Sequence, residues 1–249
     1  MAKLAVLSDI HGNCVALDVV LVDMQNGGID GTICLGDAIQ GGPQPAQVVQ
    51  RLREMRCPVV MGNSDAWLLS GIETDAERIT PERRVKLNAV REWSLTQLNG
   101  DDREFIGAFE PTIRLPLEAG RSLLAYHGSP ASFDEIILPD MPEAEFRRIL
   151  GGHGADILAG GHVHLQYVRR IGQGFHFNPG SVGVAYDHEQ PEDGFRLDPW
   201  AEYAVLTVDG PRLGLEFRRI PFDVDKLVRV TRESGRPFAD QTAEEYGRM

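Results

Sequence analysis

Lys3-Leu4-Ala5-Val6-Leu7-Ser8, followed at once by Asp9-Ile10-His11-Gly12-Asn13, is the stretch on which the fold turns. Its first half reads as a buried strand, and its second half leads into the helical pattern VALDVVLVDM beginning at Val15. A carboxylate and an imidazole two residues apart, just past a strand end, are expected to point the same way out of a sheet edge. Gly12 permits a tight turn there, and Asn13 is a good N-cap for the helix. Carboxylate oxygen and imidazole nitrogen together suit Mn, Fe, Zn or Ni. Taken alone, the same stretch also reads as an ordinary capped strand–turn–helix junction.

Working outward, the strand at 3–8 and a helix at 14–26 end at Gly27-Gly28, a natural helix stop. A second β run, Thr32-Ile33-Cys34-Leu35, delivers Gly36-Asp37. A Gly41-Gly42-Pro43 loop and a helix from about Pro45 to Met55 follow. Residues 58–61 read as a third strand, ending in Gly62-Asn63-Ser64-Asp65. Strands alternating with helices predict an α/β sheet with parallel pairs, which binds ligands where its strands end.

The pattern turns helical and polar over about 66–110, with no linker on either side. This is a helical insert, either a cap near the site or a helix layer on the sheet. Antiparallel strands follow around Gly120, the second running into His127-Gly128-Ser129-Pro130. Then come a helix at 142–150, a strand into Gly161-His162-Val163-His164, and a hairpin ending at Asn178-Pro179-Gly180-Ser181. An acidic loop at 183–201, a last antiparallel pair, and a C-terminal helix and tail over 223–249 complete one domain, 1–249.

The chain has 249 residues, 42% of them hydrophobic and 25% charged, as in ordinary soluble globular proteins. A net charge of −12 argues against nucleic acid and anionic membrane as partners. It leaves room for a phosphorylated substrate, because bound dications invert the local field. Cys14, Cys34 and Cys57 form no CxxC pair and read as buried thiols in a reducing compartment. No apolar run has membrane-spanning length, and Ser8-Asp9 arrives too early for a signal peptide, so the expected location is cytoplasmic.

The strand ends thus present Asp9 and His11, Asp37, Asn63, His127, and His162 with His164. Val163 separates the last two, so in an extended segment both reach a common centre. Seven donors exceed the needs of one transition metal and suit two, provided one carboxylate bridges. His153 reads as a helix-terminal loop residue, His176 as a packed or exposed strand position, and His188 as a loop residue overhanging the metals. Arg83, Arg84, Lys86 and Arg91 read as a solvated helix face.

The ordered series SDIHGN, GD, GN-S-D, HGSP and GHVH resembles the calcineurin-like metallophosphoesterase superfamily. NPGSVG at 178–183 is similar to its small prokaryotic phosphodiesterase branch, and the resemblance runs from Leu4 to about Val224. It implies a four-layer α/β/β/α sandwich of two mixed sheets, with a di-metal site between their tops. By motif position, Asp9, His11 and His164 would hold one ion, and Asn63, His127 and His162 the other. Asp37 would bridge, and Asp37, Asn63 and His127 would also act in catalysis. Two divalent ions, manganese first with Fe, Ni, Co or Zn as alternatives, would hold a hydroxide for in-line attack on phosphorus. No protein nucleophile is required.

Two departures narrow the expectation. Many superfamily members have a histidine where this chain has Ser64, which cannot act as an acid near neutral pH. Asp65 beside it reads as a helix cap rather than an orienting group. The protein phosphatases carry Asp-Arg-Gly where this chain has Gln40-Gly41-Gly42, so a phosphate-binding arginine is missing. The sequence therefore predicts a metal-dependent phosphodiesterase acting on a small or nucleotide-like ester. The alternatives are a non-catalytic scaffold of the same fold, as in the retromer subunit, and a phosphomonoesterase or protein phosphatase. A nuclease fits the acidic balance poorly, and nothing in the pattern specifies an oligomeric state.

Overall fold

Period-2 alternation in the strands decides the layering. In β1 (Ala2–Leu7), Ala5 and Leu7 face one side and Val6 the other, and all are buried. A strand buried on both faces needs a layer on each. The computed structural model describes residues 2–72, 80–191 and 194–246 and supplies those layers. β1 pairs in parallel with β2 (Gly31–Cys34) and antiparallel with β8 (Trp200–Asp209), which pairs antiparallel with β9 (Arg212–Pro221). The sheet order is β2-β1-β8-β9.

The second sheet runs β3-β4-β5-β7-β6. Its members are β3 (Ile113–Pro116), β4 (Ser122–Ala125), β5 (Ile157–Ala159), β6 (Gln166–Ile171) and β7 (Gly174–Pro179). β4, β5 and β7 are mutually parallel, while β3 and β6 pair antiparallel at the edges. Both sheets are therefore mixed.

Three apolar clusters glue four layers. Helix α1 (Cys14–Gly27), α2 (Pro45–Glu54) and their neighbours pack on the outer face of the first sheet, against Leu7, Cys34, Tyr203 and Val205. Val6, Ile33 and Leu206 meet Leu123, Ile157 and Phe177 between the sheets. On the far side, α6 (Glu143–Leu150) buries Phe146, Ile149 and Leu150 against Leu124, Tyr126 and Leu158. This is the α/β/β/α order that the motif series implied.

The expected strand at 58–61 is only a pair of single-residue bridges, Cys34 to Val59 and Val60 to Glu110. Pro58 has no N–H to extend the ladder, and Gly62 turns the chain straight into α3 (Asn63–Ser70). With α4 (Pro81–Gln97) and α5 (Gly100–Gly107), α3 makes up the described part of the helical insert. Residues 73–79 of that insert, 192–193 of the acidic loop, and 247–249 of the tail lie outside the described residues. Leu68, Leu98, Ile106 and Phe109 bury into the outer core of the first sheet, so these helices pack as a layer on the sheet. Two helices, α7 (Val224–Glu233) and α8 (Ala239–Tyr246), close the chain. Among the described residues no helix is long and apolar enough to cross a membrane. All three thiols are buried, which pushes Cys14 and Cys57 up to about 12 and leaves them unreactive.

Candidate metal centre

The carboxyl ends of β1, β2, β4 and β5 place Asp9, Asp37, His127 and His162 in one cluster. His11, Asn63 and His164 join it from the loops and from the first residue of α3. His11 Nε2 lies 3.3 Å from His164 Nε2, while Asp9 Oδ1 lies 3.2 Å from His164 Nε2 and 3.8 Å from His11 Nε2. His127 Nε2 lies 2.9 Å from Asn63 Oδ1 and 3.5 Å from Asp37 Oδ1. The other Asp37 oxygen is 3.7 Å from His11 Nε2, so this carboxylate spans the two groups. His162 sets its ring edge-on to His127, with centroids 5.2 Å apart, and its backbone N–H donates to Asp9 Oδ2.

Hydrogen bonding fixes what these atoms offer. His11 Nδ1 is 2.8 Å from the Gln40 carbonyl, His164 Nδ1 is 3.1 Å from the Val184 carbonyl, and His127 Nδ1 is 2.8 Å from the Leu35 carbonyl. A carbonyl only accepts, so each Nδ1 must carry a proton and each neutral ring turns its Nε2 lone pair inward. Two imidazole lone pairs and the carboxylate Oδ1 of Asp9 then converge. That oxygen is buried, and with the neighbouring His164 Nε2 unprotonated it has no hydrogen donor. A buried pocket of acceptors alone is unfavourable until a cation enters it. The donor sets Asp9, His11, His164 and Asp9, Asp37, His127 each bring their ligand atoms within 4.8 Å of one another. The residues fit divalent ions of the N- and O-preferring kind.

The backbone is bent to achieve this. Asp9, His11, Asp37, His162 and His164 all have φ between 47° and 70°, and among the described residues only three other non-glycine residues do so, apart from glycines. Left-handed backbone costs such residues roughly 1–3 kcal/mol each and persists where its surroundings impose it. The His162-Val163-His164 stretch is accordingly not the extended segment that the alternation argument assumed. Left-handed residues on either side of Val163 bring the two rings to the cluster instead. Glycine serves the same end at two close approaches. A Cβ on Gly62 would sit 2.1 Å from Asp37 Oδ1, and one on Gly161 would sit 2.1 Å from Ser8 Oγ.

Charge balance inside the cluster is tight. Burial opposes ionisation of Asp37, but His127 beside it holds the carboxyl well below the usual range. Burial likewise works against His127⁺, and Asp37 overrides it, carrying the imidazole up to about 9. His11 is lowered by burial, and so is His162. Divalent ions would have to displace the proton that Asp37 holds on His127.

Two groups act on Asp37 in ways its motif did not reveal. Ser64 donates its hydroxyl to Asp37 Oδ2 at 2.7 Å and its backbone N–H to Oδ1 at 2.8 Å. Asp65 is not the cap of α3, whose N-cap position is Gly62. Its fully buried carboxylate accepts the N–H groups of Ala38 and Ile39 at 2.9 Å each and so fixes the loop that carries Asp37. Burial and the nearby Asp37 charge push this carboxyl up to about 7. His153 is a loop residue beyond α6, its Nε2 near the Ile149 carbonyl. His188 stacks on Tyr186, whose ring meets His164 edge-on. Arg91 is no free surface cation, since its Nε donates to the Trp67 carbonyl.

A two-sheet sandwich with an Asp/His/Asn cluster between its strand ends defines a class of phosphoester hydrolases. Residues 2–207 match the calcineurin-like phosphoesterase superfamily domain, and the chain belongs to that superfamily. It is 29% identical over 194 residues to phosphodiesterase YfcE of Escherichia coli, a match covering 74% of this chain and 81% of that protein. It is 27% identical over 242 residues to an uncharacterised protein of Methanocaldococcus jannaschii, covering 90% of each. A metallophosphoesterase from Sphaerobacter thermophilus superposes with a TM-score of 0.73 at 22% identity over 98% of both chains. A hypothetical protein from Pyrococcus horikoshii superposes with a TM-score of 0.79 at 20% identity over 100% of both.

Proposed function

We propose that this phosphoesterase is a phosphodiesterase that works with two divalent ions, acting on a small, aryl or nucleotide-like diester. The observation that carries the reading is the inward convergence of acceptors from Asp9, His11 and His164 on one side and Asn63, His127 and Asp37 on the other. Asp9, His11 and His164 would hold one ion, Asn63, His127 and His162 the other, with Asp37 between them. When bound, such ions lower the pKa of water and neutralise charge on a phosphoryl group.

The chain's own residues position that chemistry. Asp37 is locked by Ser64 and by the loop that Asp65 holds, so its two oxygens keep their separation between the halves. Ser64 spends its hydroxyl proton on Asp37 and offers none to a departing alkoxide. Reaction should therefore depend steeply on leaving-group acidity, since a general acid contributes about 10²–10⁴-fold where one acts. Gly41 stands where protein phosphatases have their arginine, which favours diesters with their lower charge over phosphomonoesters. The activity of the Escherichia coli relative points the same way.

The test is an ion add-back to stripped protein with Mn, Ni, Co, Mg or Zn, followed by rates on three substrates. Expected is fastest turnover of a bis-aryl diester with Mn or Ni, slower turnover of alkyl diesters, and slowest of a phosphoserine peptide. Preference for the peptide would overturn the diester reading. Ion uptake without turnover of any ester would favour a scaffold.

A further inference from the structure

The C-terminal helices α7 and α8 lie beyond residue 207, where the superfamily match ends, and no ligand comes from them. They nonetheless reach two loops of the site. Arg236, between the helices, donates its Nε to the Gly41 carbonyl at 2.5 Å, and its Nη1 is anchored on Pro237 O and Thr242 Oγ1. Tyr246, at the end of α8, donates its hydroxyl to the Gly183 carbonyl at 2.5 Å, which also accepts Asn13 Nδ2. Phe222 packs edge-on against the Tyr246 ring, with centroids 5.8 Å apart.

These two carbonyls are not arbitrary. Gly41 follows Gln40, whose carbonyl takes the Nδ1 proton of His11. Gly183 precedes Val184, whose carbonyl takes the Nδ1 proton of His164. Each contact of the C-terminal segment falls one residue from the group that orients a histidine of the same ion site. Among the described residues, His127 of the other site leans instead on Leu35, whose N–H donates to Leu7 within the first sheet.

We infer that the C-terminal helix pair is a clasp that sets the geometry of one ion site, Asp9/His11/His164, through Arg236 and Tyr246 as positioning residues. The inference rests on the two-ion reading proposed above. Groups that orient a ligand imidazole typically govern metal affinity by about 10–100-fold. The clasp residues stand one step further back, so about tenfold is the expected scale.

The experiment is calorimetric titration of stripped full-length protein with Mn²⁺, the two binding steps assigned by His127→Ala and His164→Ala. Tyr246→Phe and Arg236→Ala should each weaken the Asp9/His11/His164 step about tenfold and leave the other unchanged. Arg236→Lys should recover part of the loss. Arg232→Ala, which breaks an exposed ion pair with Asp240 inside the same helix pair, should move neither step. If Arg236→Ala does not fold, Tyr246→Phe alone decides. Unchanged affinity at both sites, or equal weakening at both, overturns the clasp. Wild-type protein that takes up no Mn²⁺ overturns the two-ion reading and the clasp with it.

Discussion

The two halves of the cluster use the same residue type and hold it by different means. His127 is 0% exposed and is fixed between a sheet carbonyl, Asn63 and Asp37. His11 and His164 are 15% and 14% exposed and hang from loop carbonyls. The first half inherits rigidity from strand pairing. The second owes its shape to contacts between segments more than 150 residues apart in the chain, such as Arg236 with Gly41. A site can therefore be strong in one half and adjustable in the other without any change of ligand chemistry.

The largest effect should come from the sheet-held half. His127→Ala empties one half and Asp37→Ala removes the carboxylate that both halves share, and hydrolysis should fall about 10²–10³-fold or more in steady-state assays. A loss no greater than that of Tyr246→Phe would break the distinction between the halves.

A second test loads the wall behind His127. The preceding residue, Tyr126, donates its hydroxyl to Nδ1 of buried His176, whose Nε2–H is accepted by Tyr167. Tyr167 in turn donates to the Ile137 carbonyl, which leaves its oxygen as the acceptor and makes His176 the neutral Nε2–H tautomer. Burial holds His176 down at about 3, against an unfolded value of 6.5. Below pH 6.5 the unfolded chain takes up a proton that the folded chain refuses. The stability contributed by this group is whole above that pH and is lost as the pH falls towards 3. Between pH 7 and pH 5 this group alone should account for a loss of about 2 kcal/mol, read as the difference between the urea-melt pH profiles of wild type and His176→Gln. A profile that His176→Gln leaves unchanged would show that this histidine is not held neutral in the fold.

The smallest effect should come from Ser64→Ala. Asp37 keeps the Ser64 backbone N–H and loses only the hydroxyl, about 1 kcal/mol, so rates on aryl diesters should fall about fivefold. The fall should be alike for aryl and alkyl esters. A selective loss on alkyl esters would make Ser64 a proton donor and not a holder of Asp37.

Much of this was legible in the chain because the candidate ligands cluster at strand ends, where period-2 runs stop at Gly, Asp or His. Asp9, Asp37, His127 and His162 all announce themselves that way. What stayed hidden has a common cause: it depends on the third dimension. Asp65 looks like a helix cap because caps and loop-holders have the same side chain, and only the folded chain brings it to Ala38 and Ile39. His162-Val163-His164 looks extended because residue type does not encode a left-handed φ outside glycine. The short bridge at 59–60 has the apolar residues of a strand and lacks only length.

The five left-handed residues at the cluster have a consequence for the life of the protein in a cell. At roughly 1 kcal/mol or more apiece, they make the ion-free fold less stable than its packing alone would allow. An ion present at a hundred times its dissociation constant returns about 2.7 kcal/mol by mass action. On the two-ion reading, the folded fraction would then rise with the free ion concentration, and exposure of the chain to proteolysis would fall with it.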